Sequence, residues 1–196
     1  YITNKYQNII LNNLKKYDYC INCTIYDKDY NNLDKHLSNN KYISHDISNR
    51  LKKNPNVFFL TPLSDNNYIY TDILPYSECK IKNNIPIYII QGNINKGRRN
   101  YNLLINILNN NYKYNFIIKI IGRGNLPLEL QKYKDKKLLK NNLNFIDFHK
   151  EFLDAYCIIP LISKNTHPKY YKSKLTSSIN YARGYKLKCL IDIDLQ

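Results

Sequence analysis

From Ile85 onward the chain returns to one cadence: a run of apolar, mostly β-branched residues, then a glycine or proline, then a stretch with helical spacing. The runs are Ile85-Pro-Ile-Tyr-Ile-Ile-Gln91-Gly92, Phe116-Ile-Ile-Lys-Ile-Ile121-Gly122-Arg123-Gly124 and Ala155-Tyr-Cys-Ile-Ile-Pro160-Leu161. Near-continuous apolar runs between helices suit a parallel sheet covered on both faces, because each strand must hide both of its sides. The expectation is an α/β chain. Residues 79–196 form a Rossmann-like parallel sheet with flanking helices, and residues 1–78 contribute part of a preceding α/β domain and a linker. Ligands of open α/β sheets sit beyond the carboxyl ends of the strands. Function is therefore sought in the residues that follow each run.

The first part of the chain is less regular. Ile9, Ile10, Leu11 and Leu14 are spaced as on one face of a helix within residues 1–16. Tyr17–Tyr26 and Tyr42–His45 read as strands, Ile47–Lys53 as one or two helical turns, and Val57–Leu60 as a short buried strand. Periodicity fades from Ser64 to Asn84, where Asp65-Asn-Asn67, Pro75 and Lys80–Asn84 are loop formers, so a boundary is expected near residues 75–84. Beyond it, helices are expected over Arg98–Asn110, Leu126–Tyr133 (Asn125 as cap, Pro127 in the first turn), Lys150–Ala155 and Ser173–Arg183. Ser173 is the expected cap of the last, which Gly184 ends. Leu143–Ile146 is expected to be a strand, as is Leu187–Ile191.

Thirty basic against fifteen acidic side chains give a formal charge of +15, a balance that favours polyanionic or phosphate-bearing partners. The basic residues are scattered among asparagine, isoleucine and tyrosine, as in AT-rich coding sequence, and form no stripe. No specific nucleic-acid surface is expected, whereas a peripheral contact with anionic membrane is compatible with the charge. Many of the twenty tyrosines fall inside apolar runs, as Tyr88 and Tyr156 do, and so read as strand residues and not base-stacking platforms.

The five cysteines are odd in number, and Cys157 and Cys189 fall in expected strands, a pattern of reduced thiols in a cytoplasmic protein. Cys20-Ile-Asn-Cys23 has no second pair at zinc-finger spacing, so no metal is expected. No run is long enough to span a membrane, and no signal segment is visible. A start at Tyr1, the lack of methionine and an apolar run near Gln196 make this read as a fragment truncated at both ends.

Three turns could carry chemistry. Gln91-Gly92-Asn-Ile-Asn-Lys96-Gly97-Arg98-Arg99 follows a strand and opens a helix, where backbone amides and a helix dipole favour an anion. Its spacing fits neither the dinucleotide fingerprint nor the P-loop. Ile121-Gly122-Arg123-Gly124 sets a guanidinium between two glycines at the next strand end. Ser173-Lys174-Leu175-Thr176-Ser177-Ser178 joins an ammonium and hydroxyls at a helix start, a cradle for diphosphate or ribose. No nucleophile motif stands out. His45, after an expected strand, is the histidine to test as a base. Asp147 and Glu151 read as capping or solvating carboxylates near residue 150.

In this order of motifs the stretch 85–195 resembles the nucleotide-sugar-binding C-terminal half of a GT-B glycosyltransferase of the family 1 and 4 kind. The resemblance runs through Tyr88–Gly92 with Arg98-Arg99, Ile120–Gly124, Asn144–Phe148, Ile158–Leu161, and Ser173–Ile179 followed by Gly184 and Leu187–Ile191. Residues 1–75 would then be the tail of the acceptor-side domain. The resemblance implies transfer of a sugar from a UDP- or GDP-sugar donor to a hydroxyl of a glycan, protein or lipid, without metal or other cofactor. It implies that Lys174, Thr176 and Ser177 bind donor diphosphate or ribose, with Gly92 and Arg123 beside them, and that Lys96 or Arg98 neutralises the leaving phosphate. One departure is clear: Ser163–Arg183 holds no glutamate where many retaining members carry a spaced pair. A non-catalytic basic module for nucleic acid or anionic glycan is the competing expectation.

Overall fold

The computed structural model describes residues 21–25, 41–61, 63–64, 68–69, 73, 75, 83–111, 113–133 and 137–195. The expected helix over residues 1–16 and the Cys20 end of the C-x-x-C pair lie outside them. The chain divides into two compact units, Tyr1–Tyr70 with Ser173–Leu175, and Thr71–Lys172 with Thr176–Gln196.

The first unit carries a three-stranded parallel sheet in the order β1-β2-β3: Ile21–Ile25, Lys41–Ser44 and Val57–Phe59. Alternation sets its packing, since Tyr42, Val57 and Phe59 turn inward and meet Leu51 and the partly buried Ile47. Leu51 opens a 3-10 turn, Leu51–Lys53, after its amide donates to Ser48 Oγ at 3.1 Å. Ser173–Leu175 belongs to this unit: Ile47 N donates to Ser173 O at 3.0 Å, and Asp46 forms an antiparallel bridge with Lys174.

The second unit is built on a five-stranded, all-parallel sheet. Its strands are β4 (Ile87–Ile94), β5 (Ile117–Gly124), β6 (Lys137–Asn141), β7 (Cys157–Ile158) and β8 (Lys188–Cys189), ordered β6-β5-β4-β7-β8. Numbered within the sheet this is 3-2-1-4-5, the Rossmann order, and the chain reverses direction of travel between β4 and β7. Helix α1 (Tyr101–Asn111) follows β4, α2 (Phe145–Lys150) precedes β7, and α3 (Ser177–Gly184) precedes β8.

Two cores cover the two faces of this sheet. Ile90, Ile94, Ile118 and Ile120 pack with Tyr101, Leu104 and Leu108 of α1 and with Leu130 and Tyr133 of the 3-10 helix Leu128–Tyr133. The spacing of the α1 residues puts them on one stripe. Ile89, Ile121 and Ile158 face the other way, onto Phe152, Ala182 and Tyr185. Lys119 lies on β5 with a nearly buried side chain. Its ammonium sits 3.0 Å from Glu151 Oε2 and 2.7 Å from Asp154 Oδ1, so the turn after α2 is tied to the sheet by charge.

Several elements differ from expectation. The strand is Lys137–Asn141, not Leu143–Ile146. Phe145 and Ile146 instead begin α2, because Asn144 Oδ1 accepts from Asp147 N at 2.9 Å and caps the helix. The strand carries no continuous apolar run because β6 is the sheet edge, where lysines such as Lys140 are tolerated. The helix expected over Lys150–Ala155 therefore starts earlier and ends at Lys150. Helix α1 starts at Tyr101, not Arg98, because Asn100 Oδ1 accepts from Leu103 N and ends the preceding turn. Helix α3 begins at Ser177 with Thr176, not Ser173, as its cap.

Candidate functional site

The carboxyl ends of β4 and β5 are held unusually close. The two strands stay in register to their last residues, with Gly92 opposite Gly122 and Ile94 opposite Gly124. A Cβ on Gly122 would lie 1.7 Å from Gly92 O, so only glycine permits this approach. Gly92 (φ +113°) and Gly124 (φ +124°) also adopt backbone that other residues avoid.

Beyond these ends opens a cleft of about 460 Å³, lined by Gly92 and Asn93 of β4, Gly122 and Arg123 of β5, and residues 142–145 and Phe148 after β6. Arg123 makes no ion pair among the described residues. Asn142 and Asn144 line the wall, and Phe145 is 72% exposed at its side. An unpaired guanidinium, amides and an exposed aromatic face form a lining that complements an anionic, ring-bearing ligand.

Gln91, the residue before Gly92, is buried. Its Nε2 donates to Ser177 Oγ at 2.9 Å and to Ser178 Oγ at 3.1 Å, joining the end of β4 to the start of α3. Its backbone oxygen accepts from Arg99 Nη2. Arg99 Nη2 occupies the space a Cβ at Gly92 would need, so the guanidinium seats on the glycine. Arg99 is itself buried, and Nη1 donates to Arg98 O at 2.7 Å. Desolvation lowers its pKa from the ordinary value, with the hydroxyls of Tyr170 and Tyr101 opposing.

A second, smaller cleft of about 130 Å³ lies on the α1 side, lined by Lys96, Arg99, Asn100, Tyr101, Glu129 and Thr166 among others. Lys96 bonds Glu129 Oε1 at 3.0 Å. Arg99 Nε and Tyr101 Oη are buried there without a hydrogen-bond partner. Burial pushes the Tyr101 hydroxyl up to about 12, so it stays protonated. Asn100 Nδ2 reaches Ser163 Oγ at 3.3 Å, Ser163 bonds Thr166 at 2.7 Å, and Thr166 bonds His167 Nδ1 at 2.6 Å.

The residues singled out in the sequence are thus distributed. Gly92 and Arg123 meet in the larger cleft, Lys96 turns to the smaller one, and Arg98 is exposed on the turn between β4 and α1. Thr176 is buried, and its hydroxyl accepts from Ser178 N at 3.4 Å as the cap of α3, whereas Ser177 is exposed at the helix start. In the first unit Lys174 pairs with Asp46 Oδ1 at 3.0 Å, beside His45. His45 is held below its ordinary pKa by desolvation first and the Lys174 ammonium next, with Asp46 opposing. Asp147 bonds Asn144 and Lys150, and Glu151 bonds Lys119, so both serve structure.

Gln91 and Phe145 are contributions that sequence reading does not assign, and Arg99, expected with Lys96 and Arg98 to supply charge for an anion, instead has its guanidinium on the carbonyl oxygens of Gln91 and Arg98. Gln91 sits in an apolar run where an amide has no use unless it meets a partner, which was the signal available.

Among the described residues no group of three His, Cys, Asp or Glu side chains could hold a metal ion, and no helix is long and apolar enough to cross a membrane. No protein-family model and no curated protein matches the chain. Among solved structures it is similar to one described as "Crystal Structure of TarM", at 15% identity and a TM-score of 0.34, covering 80% of this chain and 27% of that one. The chain thus spans about a quarter of that structure, and a likeness this distant carries no functional argument.

Proposed function

We propose that the second unit is the donor-binding half of a GT-B glycosyltransferase, taking the nucleoside diphosphate of a UDP- or GDP-sugar at the carboxyl end of its sheet. The observation that carries this reading is the larger cleft. It joins the close-packed Gly92 and Gly122 backbones, an Arg123 without an ion pair among the described residues, and the exposed Phe145 ring in one concavity. In this reading the base lies against Phe145, and Arg123 faces a phosphate or the ribose. Arg98 and the Ser177 hydroxyl at the α3 start serve the diphosphate, and charge on the departing group is met by these donors without metal. The reaction is transfer of the sugar to an acceptor hydroxyl.

Calorimetric titration of the chain with UDP and GDP tests this. Saturable binding of one of them is expected, weakened by Arg123→Ala and by Phe145→Ala. Absence of saturable binding of both sinks the reading. A gel shift with mixed nucleic acid across salt covers the rival, polyanion-binding reading, which requires a steep loss of affinity with salt. The local picture favours the first reading: Lys96, Lys119, Lys140, Lys150, Lys164 and Lys174 are engaged by carboxylates.

The base role of His45 is a separate proposal. A depressed pKa keeps its imidazole neutral and able to accept a proton near neutrality. His45→Gln is expected to lower turnover and leave donor affinity unchanged. Equal turnover would remove His45 from the reaction. Lys174→Ala, with the Asp46 pair broken, tests whether Lys174 contributes to donor affinity at all.

A further inference from the structure

A polar hydrogen is costly to bury unless something accepts it, and the cost rises when the donor is charged. The smaller cleft beside α1 holds two such donors. Arg99 and Tyr101 are 6% and 4% exposed, and both line the cleft. Among the described residues neither Arg99 Nε nor Tyr101 Oη has a hydrogen-bond partner. The other nitrogens of Arg99 are occupied, Nη1 by Arg98 O and Nη2 by Gln91 O. Carbonyls hold the guanidinium in place without neutralising it. The ionisable groups that act on Arg99 are the Tyr170 and Tyr101 hydroxyls and the Arg98 guanidinium, with no carboxylate among them. Tyr101, pushed up to about 12 by burial, keeps its proton to donate.

The rest of the lining narrows what could answer these donors. Lys96 and Glu129 pair at 3.0 Å with side chains 69% and 55% exposed, which places them at the rim. Their charges cancel, so the lining keeps one net positive charge, that of Arg99. Asn100 and Thr166 turn their polar groups to Ser163 and His167. Ile105 and Pro127 add an apolar side. The volume of about 130 Å³ is that of roughly four waters, far less than a nucleotide needs.

We infer that the smaller cleft binds the carboxylate of a small monocarboxylic acid, its two oxygens taken by Arg99 Nε and Tyr101 Oη. The short hydrocarbon part lies against Ile105 and Pro127. A carboxylate is a monoanion and matches the single unanswered charge, with two acceptor oxygens for two donors. A phosphate monoester carries close to two charges at neutral pH and would meet Glu129 at the rim. An exposed ion pair such as Lys96–Glu129 is weakly held, and it swings aside as the ligand enters. This site shares no residue with the larger cleft and stands whether or not a nucleoside diphosphate binds there.

The test uses the full chain and sodium propionate, with sodium chloride at matched ionic strength as the reference. Saturable binding, followed by ligand-observed NMR, is expected with a Kd on the order of millimolar, together with a melting temperature that rises with propionate. Tyr101→Phe keeps the ring and deletes one donor. It is expected to fold as the unaltered chain does and to bind propionate about tenfold more weakly. Glu129→Gln removes the rim carboxylate and is expected to strengthen binding about two- to threefold, a gain that a purely structural role for this cleft would not give. Arg123→Ala, in the larger cleft, is expected to leave propionate binding unchanged. Inorganic phosphate is expected to bind more weakly than propionate.

Four results would overturn the proposal. Propionate acts no differently from chloride, which leaves the cleft to ordered water only; Tyr101→Phe binds as well as the unaltered chain; phosphate binds ahead of propionate; or Arg123→Ala abolishes binding, which moves the carboxylate to the larger cleft. None of the four depends on whether UDP or GDP binds.

Discussion

Two clefts open beside the end of β4, and the sequence supplies basic residues to both. In the smaller one Lys96 is neutralised by Glu129, and the Arg99 guanidinium is spent on the carbonyls of Gln91 and Arg98. In the larger one Arg123 stands on a glycine-flanked strand end without an ion pair among the described residues. Basic residues equally prominent in sequence therefore differ in their surroundings: one set holds a turn together, the other lines a cleft with no carboxylate against it among the described residues. A cation signals function where its surroundings leave its charge unanswered.

The contrast breaks most visibly at the glycines. A methyl on Gly122 would drive into Gly92 O at 1.7 Å, and backbone in a paired strand cannot give way. Gly122→Ala is expected to destabilise the chain by about 3 kcal/mol or more and to distort the larger cleft. At Gly97, on the turn with Lys96, a methyl would meet only Asn95 Oδ1 at 3.3 Å. Gly97→Ala is expected to stay within about 0.5 kcal/mol. Denaturant unfolding of both variants measures the difference, and equal losses would mean that the β4–β5 approach is not the constraint described here.

The same contrast explains what was legible in the sequence. The central strands were, because a strand buried on both faces must be apolar along its length, and β4 and β5 are. The glycine turns were, because close approach excludes every other residue. The edge strand β6 was not, since an edge needs no apolar run, and Leu143–Ile146 looked more strand-like than Lys137–Asn141 does. Helix starts differ from expectation wherever a side chain two or three residues back decides them, as those of Asn100, Asn144 and Thr176 do. The basic turns could be found, but not sorted. Which of Lys96 and Arg123 keeps a free charge depends on Glu129, thirty-three positions from Lys96 in the chain. Gln91 stands out as an amide in an apolar run, but what it meets is not legible there, because its partners Ser177 and Ser178 lie 86 and 87 positions away in the chain.

Affinity separates the clefts next, on the donor-binding proposal. Arg123→Ala is expected to weaken nucleoside diphosphate binding by about tenfold, as loss of a charge-assisted contact does. Lys96→Ala, which removes an exposed and already paired ammonium, is expected to change it by about twofold or less. Calorimetry on both variants decides, and the reverse ranking would move the ligand to the smaller cleft. Phe145→Ala sharpens the same comparison. Loss of one stacking face costs about 1–3 kcal/mol, and it is expected to fall on nucleoside and diphosphate alike. Tyr101→Phe, in the smaller cleft, removes a buried hydroxyl without a partner. It is expected to leave affinity unchanged and stability equal or slightly raised.

The smallest expected effect concerns acid stability, and it uses the histidine beside each cleft. His149 is boxed by Phe145, Phe148, Phe152 and Tyr181, with Nδ1 2.5 Å from Tyr185 Oη, and burial lowers its pKa. His167 bonds Thr166, and its pKa is lowered by burial first, then by Arg99 and Arg98. For both, the folded chain binds a proton less readily than the unfolded chain. The unfolded state therefore takes up more protons as pH falls through the ordinary histidine range near about 6.5, and stability declines from there until each folded pKa is passed. Above that range neither histidine adds pH dependence. His167→Gln is expected to flatten part of this acid limb in a salt-sensitive way, because two guanidinium groups contribute to the shift and added salt screens them. His149→Gln is expected to flatten its share independently of salt, because burial alone is the cause, though an amide also loses the aromatic packing and lowers stability at every pH. Unfolding midpoints between about pH 5 and 8, at low and high salt, measure both limbs. A salt-sensitive limb assigned to His149 would mean that the charge near the larger cleft reaches further than its geometry suggests.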